Sequence, residues 1–415
     1  IWYTPVTGIW QTVWLEPVNK KHIAAVYNTP NIDESKLTVC TKTEGTQQGD
    51  VISVVMKDGN KIVAKGKAIA GQEVELSVQN QKLWTPDNPF LYDLEISLLS
   101  GGKTVDVVKS YSAMRKISSV RDGAGVWRMQ LNNKNLFQYG PLDQGYWPDG
   151  LFTAPTEEAM VYDIKKTKDM GFNMIRKHMK VEPARWYTAC DKLGILVWQD
   201  MPMGDIQHGP DWQNHEYYQE TGRLARRSAE SEENFKHEWK AIIDQFYSYP
   251  SIVVWTPFNE AWGQFKTEEI TAFTKALDPT RLINSASGGN HFKTGDILDL
   301  HNYPGPMMYL YDFNRTTVLG EFGGLGLPLK GHLWQADRNW GYVEFKNSKE
   351  VTDRYVELLE ELKPMIRQGF SAAVYTQTTD VEGEVNGLMT YDRKVIKLDE
   401  NRVRKANLEL YKLYK

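Results

Sequence analysis

From residue 117 to residue 415, short apolar runs alternate with segments of helical periodicity, and no other feature narrows the fold of this chain as far. Runs at 172–176, 195–198, 252–255, 282–284, 317–320 and 370–375 read as strands. Patterns opening at Thr156 and lying at 186–193, 230–247, 267–277, 351–367 and 402–414 read as helices. In the first of these Thr156 is the cap, Glu157 and Glu158 are first-turn acids, Met160, Ile164 and Met170 are the apolar positions, and Gly171 is the stop. Repeated βα units of this extent predict a (β/α)₈ TIM barrel with insertions. A doubly wound sheet, the competing architecture, would carry a glycine-rich phosphate loop after its first strand. Gly323-Gly324-Leu325-Gly326 follows a strand without that spacing and reads as a flexible loop.

Before residue 117 the texture is different. Short β-rich runs at 37–39, 51–55, 74–78, 94–98 and 105–108 are separated by turn residues such as Asp58-Gly59-Asn60 and Ser100-Gly101-Gly102. Apolar and polar residues alternate in several of them, as a sheet with one buried and one wetted face requires. The segment predicts an immunoglobulin-like β-sandwich over 19–116, followed by the barrel over 117–415.

With 49 Lys+Arg against 53 Asp+Glu, the net charge of −4 supplies no broad cationic field for a nucleic acid. Apolar runs such as 252–255 fall far short of the roughly 20 residues of a membrane span. The two cysteines, Cys40 and Cys190, fall in different predicted domains and cannot form a disulfide scaffold. Eight histidines show no His-x-x-x-His or Cys-rich ligand spacing, so neither a metal nor another cofactor is expected. No Gly-x-Ser-x-Gly elbow points to a serine hydrolase.

In a barrel, polar residues just after a strand face the C-terminal mouth, where active sites assemble. Two strand ends carry a glutamate there. The run 252–258 leads into Asn259-Glu260, and 317–320 leads into Glu321-Phe322-Gly323. One such glutamate could merely close a salt bridge or cap a helix; two of them suggest chemistry. Facing carboxyl groups can split a glycosidic bond, one attacking the anomeric carbon while the other protonates the departing oxygen and then deprotonates water. The nucleophile must be ionised, and its charge raises the pKa of its partner; glycosylation removes that charge and frees the partner to act as base.

At this point the chain resembles glycoside hydrolase family 2, which contains β-galactosidases, β-glucuronidases and β-mannosidases. Residues 7–15, Thr-Gly-Ile-Trp-Gln-Thr-Val-Trp-Leu, look like the last strand of that family's N-terminal sugar-binding domain, which assigns 1–18 to the end of a truncated sandwich. Leu83-Trp84-Thr85-Pro86-Asp87-Asn88-Pro89-Phe90-Leu91-Tyr92 is similar to a phrase late in its immunoglobulin-like domain. The stretch from Asn173-Met174-Ile175-Arg176 to Val197-Trp198 is similar to its first barrel signature, and that from Pro250-Ser251 to Asn259-Glu260 to its second. The resemblance implies Glu260 as acid/base and Glu321 as nucleophile. It implies Asn259 on the sugar 2-hydroxyl, Tyr303 and Arg176 beside the nucleophile, and His301 and Tyr375 as further substrate contacts. Trp262, Tyr146-Trp147 and Trp340 lie in predicted loops and are additional candidates, because an apolar ring can cover the C–H face of a sugar.

The chain departs from the family pattern at several positions. Ser248 and Thr256 replace the usual Asn and Gly/Ser. The Arg-Ser-Ser-His-Tyr-Pro phrase reads Arg176-Lys177-His178-Met179-Lys180-Val181, with His178 shifted by one position, and Tyr375 stands where many relatives carry tryptophan. The Asn-x-Lys motif of family glucuronidases appears as Asn386-Gly387-Leu388, with Lys394 as a substitute cation. The implied function is a retaining exo-β-glycosidase on a carbohydrate substrate, β-galactosidase-like, with β-glucuronidase or β-mannosidase as alternatives. The resemblance is compatible with a homo-oligomer and with a periplasmic or secreted setting. A non-catalytic carbohydrate-binding protein is the competing class. An incomplete first domain would leave Ile9, Trp10, Val13 and Trp14 as an exposed apolar patch.

Overall fold

The computed structural model describes residues 3–205 and 224–414. Its first folded unit is a sandwich of two antiparallel sheets. One sheet contains His22–Asn31, Lys36–Glu44 and Val74–Ser77; the other orders Lys61–Ile69, Val51–Asp58, Tyr92–Ser100 and Lys103–Ser112. Alternation sets the buried face: Ile52, Val54 and Met56 meet Leu37, Val39, Leu76, Leu94, Ile96 and Leu98 between the sheets.

Eight parallel strands form the second unit: β1 (Gln138–Asp143), β2 (Met174–Lys177), β3 (Leu196–Asp200), β4 (Ile252–Thr256), β5 (Leu282–Ile283), β6 (Ile297–His301), β7 (Thr316–Gly323) and β8 (Phe370–Thr376). They pair in that order, β8 pairs back onto β1, and a parallel bridge from Asn284 to Ile297 joins β5 to β6 and closes the ring. The barrel interior is packed with side chains: Leu142, Met174, Leu196, Trp198, Val254, Leu282, Ile297, Val318, Ala372 and Val374 form one cluster. Its lower end is plugged by Ile117, Met129 and Leu131 from a three-stranded antiparallel sheet (Ile117–Arg121, Trp127–Leu131, Lys134–Asn135).

Outside the strands lie α1 (Glu157–Asp169), α2 (Ala184–Leu193), α3 (Ala229–Phe246), α4 (Thr267–Leu277), α5 (Ser348–Gln368) and α6 (Glu400–Lys412). Their ends follow from the sequence. Thr156, Ser228, Asn347 and Asp399 cap α1, α3, α5 and α6 through side-chain oxygens, and Gly194 closes α2 in the left-handed conformation at φ 74°. No described helix is long and apolar enough to cross a membrane.

Two expectations are corrected here. Residues 3–21 form no strand, because no described strand lies beside them; the segment instead runs to the barrel mouth, where the Thr4 N–H donates to Glu382 Oε1 (2.9 Å) and the Tyr3 hydroxyl to Glu384. Ile9, Val13 and Trp14 are exposed as expected, but Trp10 packs edge-on against Phe152 at 5.3 Å. Gly323–Gly326 is buried rather than a free loop. A Cβ on Gly323 would stand 2.4 Å from the Tyr375 ring and one on Gly324 2.2 Å from the Tyr342 ring, so these glycines make room for aromatic rings.

Candidate active site

The C-terminal strand ends bring the polar residues together. Arg176 lies in β2, Asp200 ends β3, Glu260 follows β4, His301 ends β6 and Glu321 lies in β7. Glu260 and Ala261 both adopt left-handed backbone, at φ 51° and 63°, a conformation uncommon outside glycine and concentrated at functional sites. The Glu260 N–H donates to Ser287 O at 2.8 Å, which ties this turn to the chain just beyond β5.

Arg176 is fully buried and all five of its N–H groups have acceptors. Nε and Nη2 reach Asp200 Oδ2 at 3.0 and 2.8 Å, Nη2 also reaches Asn259 Oδ1 at 2.7 Å, and Nη1 serves Glu321 Oε1 and Gly320 O, both at 3.1 Å. The Tyr303 hydroxyl donates to Glu321 Oε2 at 2.7 Å and lies 2.7 Å from Thr376 Oγ1. His301 Nδ1 lies 2.9 Å from Glu260 Oε1 and 3.4 Å from Glu321 Oε2, and Trp262 Nε1 lies 3.4 Å from Glu260 Oε2. With its oxygen committed to Arg176, Asn259 keeps a buried amide nitrogen that has no partner among the described residues.

Oxygens of Glu260 and Glu321 approach within 4.8 Å of each other. Burial pushes both carboxyls above the ordinary glutamate range. Glu321 is also pushed up by Glu260, while His301, Arg176 and the Tyr303 hydrogen bond pull it down. The carboxyl that receives both the guanidinium and the phenol is the better-stabilised anion, so the proton of the pair belongs on Glu260. Burial opposes ionisation of Asp200, but Arg176 and His178 overcome it and hold the group below its usual range. Glu260, His301 and Glu321 could offer three ligand atoms to a cation. The Arg176 guanidinium faces the same cluster, shared between Glu321 and Asp200.

These groups open into a cavity of about 220 Å³ lined by Leu142, Gln144, His178, Glu260, Trp262, Tyr303, Glu321, Trp340, Tyr342, Thr376 and Glu384. No lysine or arginine is among the described lining residues. Tyr342 stacks on Tyr303 with centroids 3.6 Å apart, and Trp340 meets Tyr342 edge-on at 5.7 Å.

Of the residues singled out from sequence, Glu260, Glu321, Asn259, Tyr303, Arg176, His301 and Trp262 converge here, and Tyr375 does not. Successive residues of a strand face opposite ways, so Thr376 lines the cavity while Tyr375 packs against Tyr355 and Phe322 at 5.0 and 5.9 Å. Tyr146 and Trp147 also serve packing, beside Phe152 and under Arg393. His178 is buried with Nδ1 2.7 Å from Asp200 Oδ2, and still reaches the cavity. Lys394 is exposed and absent from the lining, so it cannot stand in for the missing lysine. Sequence reading overlooked Asp200, Ser287, Asp299, Tyr342, Thr376 and Glu384. Asp200 was accessible by the strand-end rule used for the glutamates, whereas Tyr342 and Glu384 arrive from irregular chain with no period to mark them.

Two family models match the sequence: glycosyl hydrolases family 2, TIM barrel domain, over residues 128–305, and glycosyl hydrolases family 2 over residues 21–115. A beta-galactosidase of Photobacterium profundum is 25% identical over 319 residues, 71% of this chain and 28% of that protein. A beta-glucuronidase of Bacteroides fragilis is 27% identical over 390 residues, 86% of this chain and 52% of that protein. The chain thus spans about a quarter to a half of the length of the curated relatives it matches. Among solved structures, the beta-D-glucuronidase of Dictyoglomus thermophilum superposes with a TM-score of 0.71 at 20% identity, covering 94% of this chain and 69% of that one, a likeness of fold.

Proposed function

The chain belongs to glycosyl hydrolases family 2, and from that premise we propose that it hydrolyses terminal β-linked sugars by double displacement, with Glu321 as nucleophile and Glu260 as acid/base. The observation that carries this reading is the meeting of the two carboxyls, within 4.8 Å, in one buried pocket. That approach suits the roughly 5–5.5 Å of retaining enzymes and leaves no room for the water that sits between carboxyls about 6.5–9.5 Å apart in inverting ones.

Glu321, held ionised by Arg176 and Tyr303, attacks the anomeric carbon as Glu260 gives its proton to the leaving oxygen. A glycosyl ester forms on Glu321 and the aglycone departs. Glu260, now a carboxylate, takes a proton from water as that water attacks the same carbon and releases Glu321. The unpartnered Asn259 amide donates to the sugar 2-hydroxyl, and Trp262, Trp340 and Tyr342 offer ring faces to the substrate. Residues 19–116 act as the immunoglobulin-like support and 117–415 as the catalytic domain.

The sugar is neutral and galactoside-like on this reading. A uronate carboxylate entering the cavity would meet Glu260, Glu321 and Glu384 with no lysine or arginine among the described lining residues. The names of relatives also keep β-glucuronidase in view as the second reading. A panel of nitrophenyl β-glycosides decides between them: galactoside turnover well above glucuronide turnover is expected, and the reverse order would reject the neutral-sugar reading. Glu321→Gln should abolish turnover. Glu260→Ala should lose about 10²–10⁴-fold on poor leaving groups and regain rate with azide. Sugar binding that survives while the wild type releases no aryl leaving group would favour the non-catalytic class.

A further inference from the structure

Behind Glu260 a chain of buried polar groups runs away from the cavity. His301 Nδ1 lies 2.9 Å from Glu260 Oε1, and His301 Nε2 lies 2.8 Å from Ser287 Oγ. Ser287 Oγ lies 2.6 Å from Asp299 Oδ2, which also accepts from Asn284 Nδ2 at 2.6 Å. Ser287, Asp299 and His301 are all buried. The packing around them is close: a Cβ on Gly288 would stand 2.1 Å from His301 Cγ, and one on Gly320 2.0 Å from Asp299 Oδ1.

Hydrogen counting gives this chain a direction. A serine hydroxyl owns one hydrogen, and Asp299 Oδ2, which already accepts from the Asn284 amide, is placed to accept it, the two donors and Arg176 favouring the carboxylate against the upward push of burial. With that hydrogen on Asp299, Ser287 Oγ can only accept from His301, which puts a hydrogen on Nε2. Arg176 Nη1, 3.5 Å from Nε2, does not compete, because its two hydrogens already serve Glu321 and Gly320. A neutral imidazole protonated at Nε2 presents a bare lone pair at Nδ1, so the proton of the short Nδ1–Oε1 contact must come from Glu260.

We infer that Asp299 and Ser287 are positioning residues that fix His301 as its neutral Nε2–H tautomer, and that the bare Nδ1 then holds the acid/base Glu260 in the protonated form until a leaving group claims the proton. The inference rests on the assignment of Glu260 as acid/base. In the first half-reaction the Glu260 proton passes to the glycosidic oxygen as the bond to the anomeric carbon breaks and its electron pair goes to that oxygen. The Glu260 carboxylate then faces a lone pair across 2.9 Å, a repulsion relieved when it takes a proton from the attacking water. The hydrogens on His301 and Ser287 stay in place throughout.

Other charges face this chain. Arg176 and His178 approach from β2 and the residue after it, Asp200 from β3 and Glu321 from β7. The phenols of Tyr303, Tyr309 and Tyr342 stay protonated, and Tyr303, Tyr342 and Glu384 line the cavity. Burial holds His301 below its ordinary range, in keeping with a neutral ring.

The test combines a spectroscopic reading with a pH profile. Labelled-histidine NMR of the full chain should show His301 as the Nε2–H tautomer at neutral pH. Ser287→Ala removes the Nε2 acceptor and should convert the ring to Nδ1–H, which donates to the Glu260 carboxylate. The alkaline limb of kcat/KM for a poor leaving group should then move down by about one pH unit, roughly tenfold in rate on that limb. A dinitrophenyl glycoside, which needs little protonation, should stay within about threefold of wild type. Asp299→Asn, which keeps an acceptor but loses its charge, should move the limb the same way by less. A wild-type His301 found as Nδ1–H or as imidazolium overturns the inference. So does an unmoved limb in folded Ser287→Ala, or an equal loss on both substrates. If instead Glu260→Ala shows neither leaving-group dependence nor azide rescue, the acid/base assignment fails and the inference falls with it, whatever tautomer is found.

Discussion

Arg176 Nη1 stands 3.1 Å from Glu321 Oε1, while the same guanidinium grips Asp200 through Nε and Nη2. The cation that favours ionisation of one carboxylate is thereby aimed by another. Asp200, at the end of β3, fixes the plane of the fork, and Asn259 Oδ1 takes the remaining Nη2 hydrogen. A planar five-donor group can satisfy all these acceptors at once, and a lysine ammonium cannot.

Arg176→Lys should therefore keep the charge and lose the geometry. The expected result is a fall of about 10²-fold in kcat/KM, the order that follows from a misplaced reacting group. Arg176→Met strands Asp200 and Glu321 in the interior and should cost about 3–5 kcal/mol of stability. Steady-state kinetics and urea unfolding of the two variants check both statements, and a Lys variant with wild-type kcat/KM would refute the first.

The Tyr303 hydroxyl donates 2.7 Å to Glu321 Oε2. A hydrogen bond to a charged group is worth ~1.5–3 kcal/mol, so Tyr303→Phe should lower kcat about ten- to a hundredfold. The ring remains stacked on Tyr342, and the melting temperature should change little. A larger effect on stability than on turnover would identify the hydroxyl as structural.

Much of this could be read from the chain. The strands at β3, β4, β7 and β8 and the helices α1 to α6 are marked by apolar periodicity and by caps such as Thr156 and Gly194. Glu260 and Glu321 follow from their places at strand ends. His22–Asn31 and Lys61–Ile69 were not apparent, the second because Lys61, Lys65 and Lys67 on an edge strand break the apolar pattern. Ser287, Asp299 and Gly288 carry no local signal, because their meaning lies in contacts made after the barrel has closed. Tyr375 shows the opposite error: its place beside the site in sequence was right, but the side of β8 that it faces is fixed by a one-residue alternation.

Gly288→Ala should displace His301, since the new Cβ would stand 2.1 Å from the ring carbon, at a backbone φ of +59° that side chains rarely adopt. Large losses of turnover and measurable loss of stability are expected together. Gly123→Ala is the control: nothing lies within 4 Å of its Cβ and no positive φ is required. It should be neutral or stabilising by about 0.4–1 kcal/mol. Equal thermal shifts in the two variants would contradict the packing argument.

The seam between the sandwich and the barrel should be pH-sensitive through Asp191. Its carboxyl accepts from the Tyr111 hydroxyl at 2.6 Å and the Ser251 N–H at 2.8 Å, and its backbone oxygen accepts from Trp84 Nε1 at 2.8 Å. Burial pushes the pKa from 3.8 to about 6, against the pull of these hydrogen bonds and Arg115. A carboxyl raised on folding favours the folded state when protonated. Its contribution is thus fully present below about pH 4 and is lost as pH rises through about 6, with a span on the order of 3 kcal/mol. Asp380, likewise raised to about 6 by burial, titrates with the same sign. Asp191→Asn should therefore flatten part of the fall in unfolding free energy between pH 4 and 7, and Asp191→Asn combined with Asp380→Asn should flatten more of it. Urea titrations at half-unit pH intervals measure the slope, and a single variant that retains the full wild-type slope would show that Asp191 ionises in the folded protein as readily as in the unfolded chain.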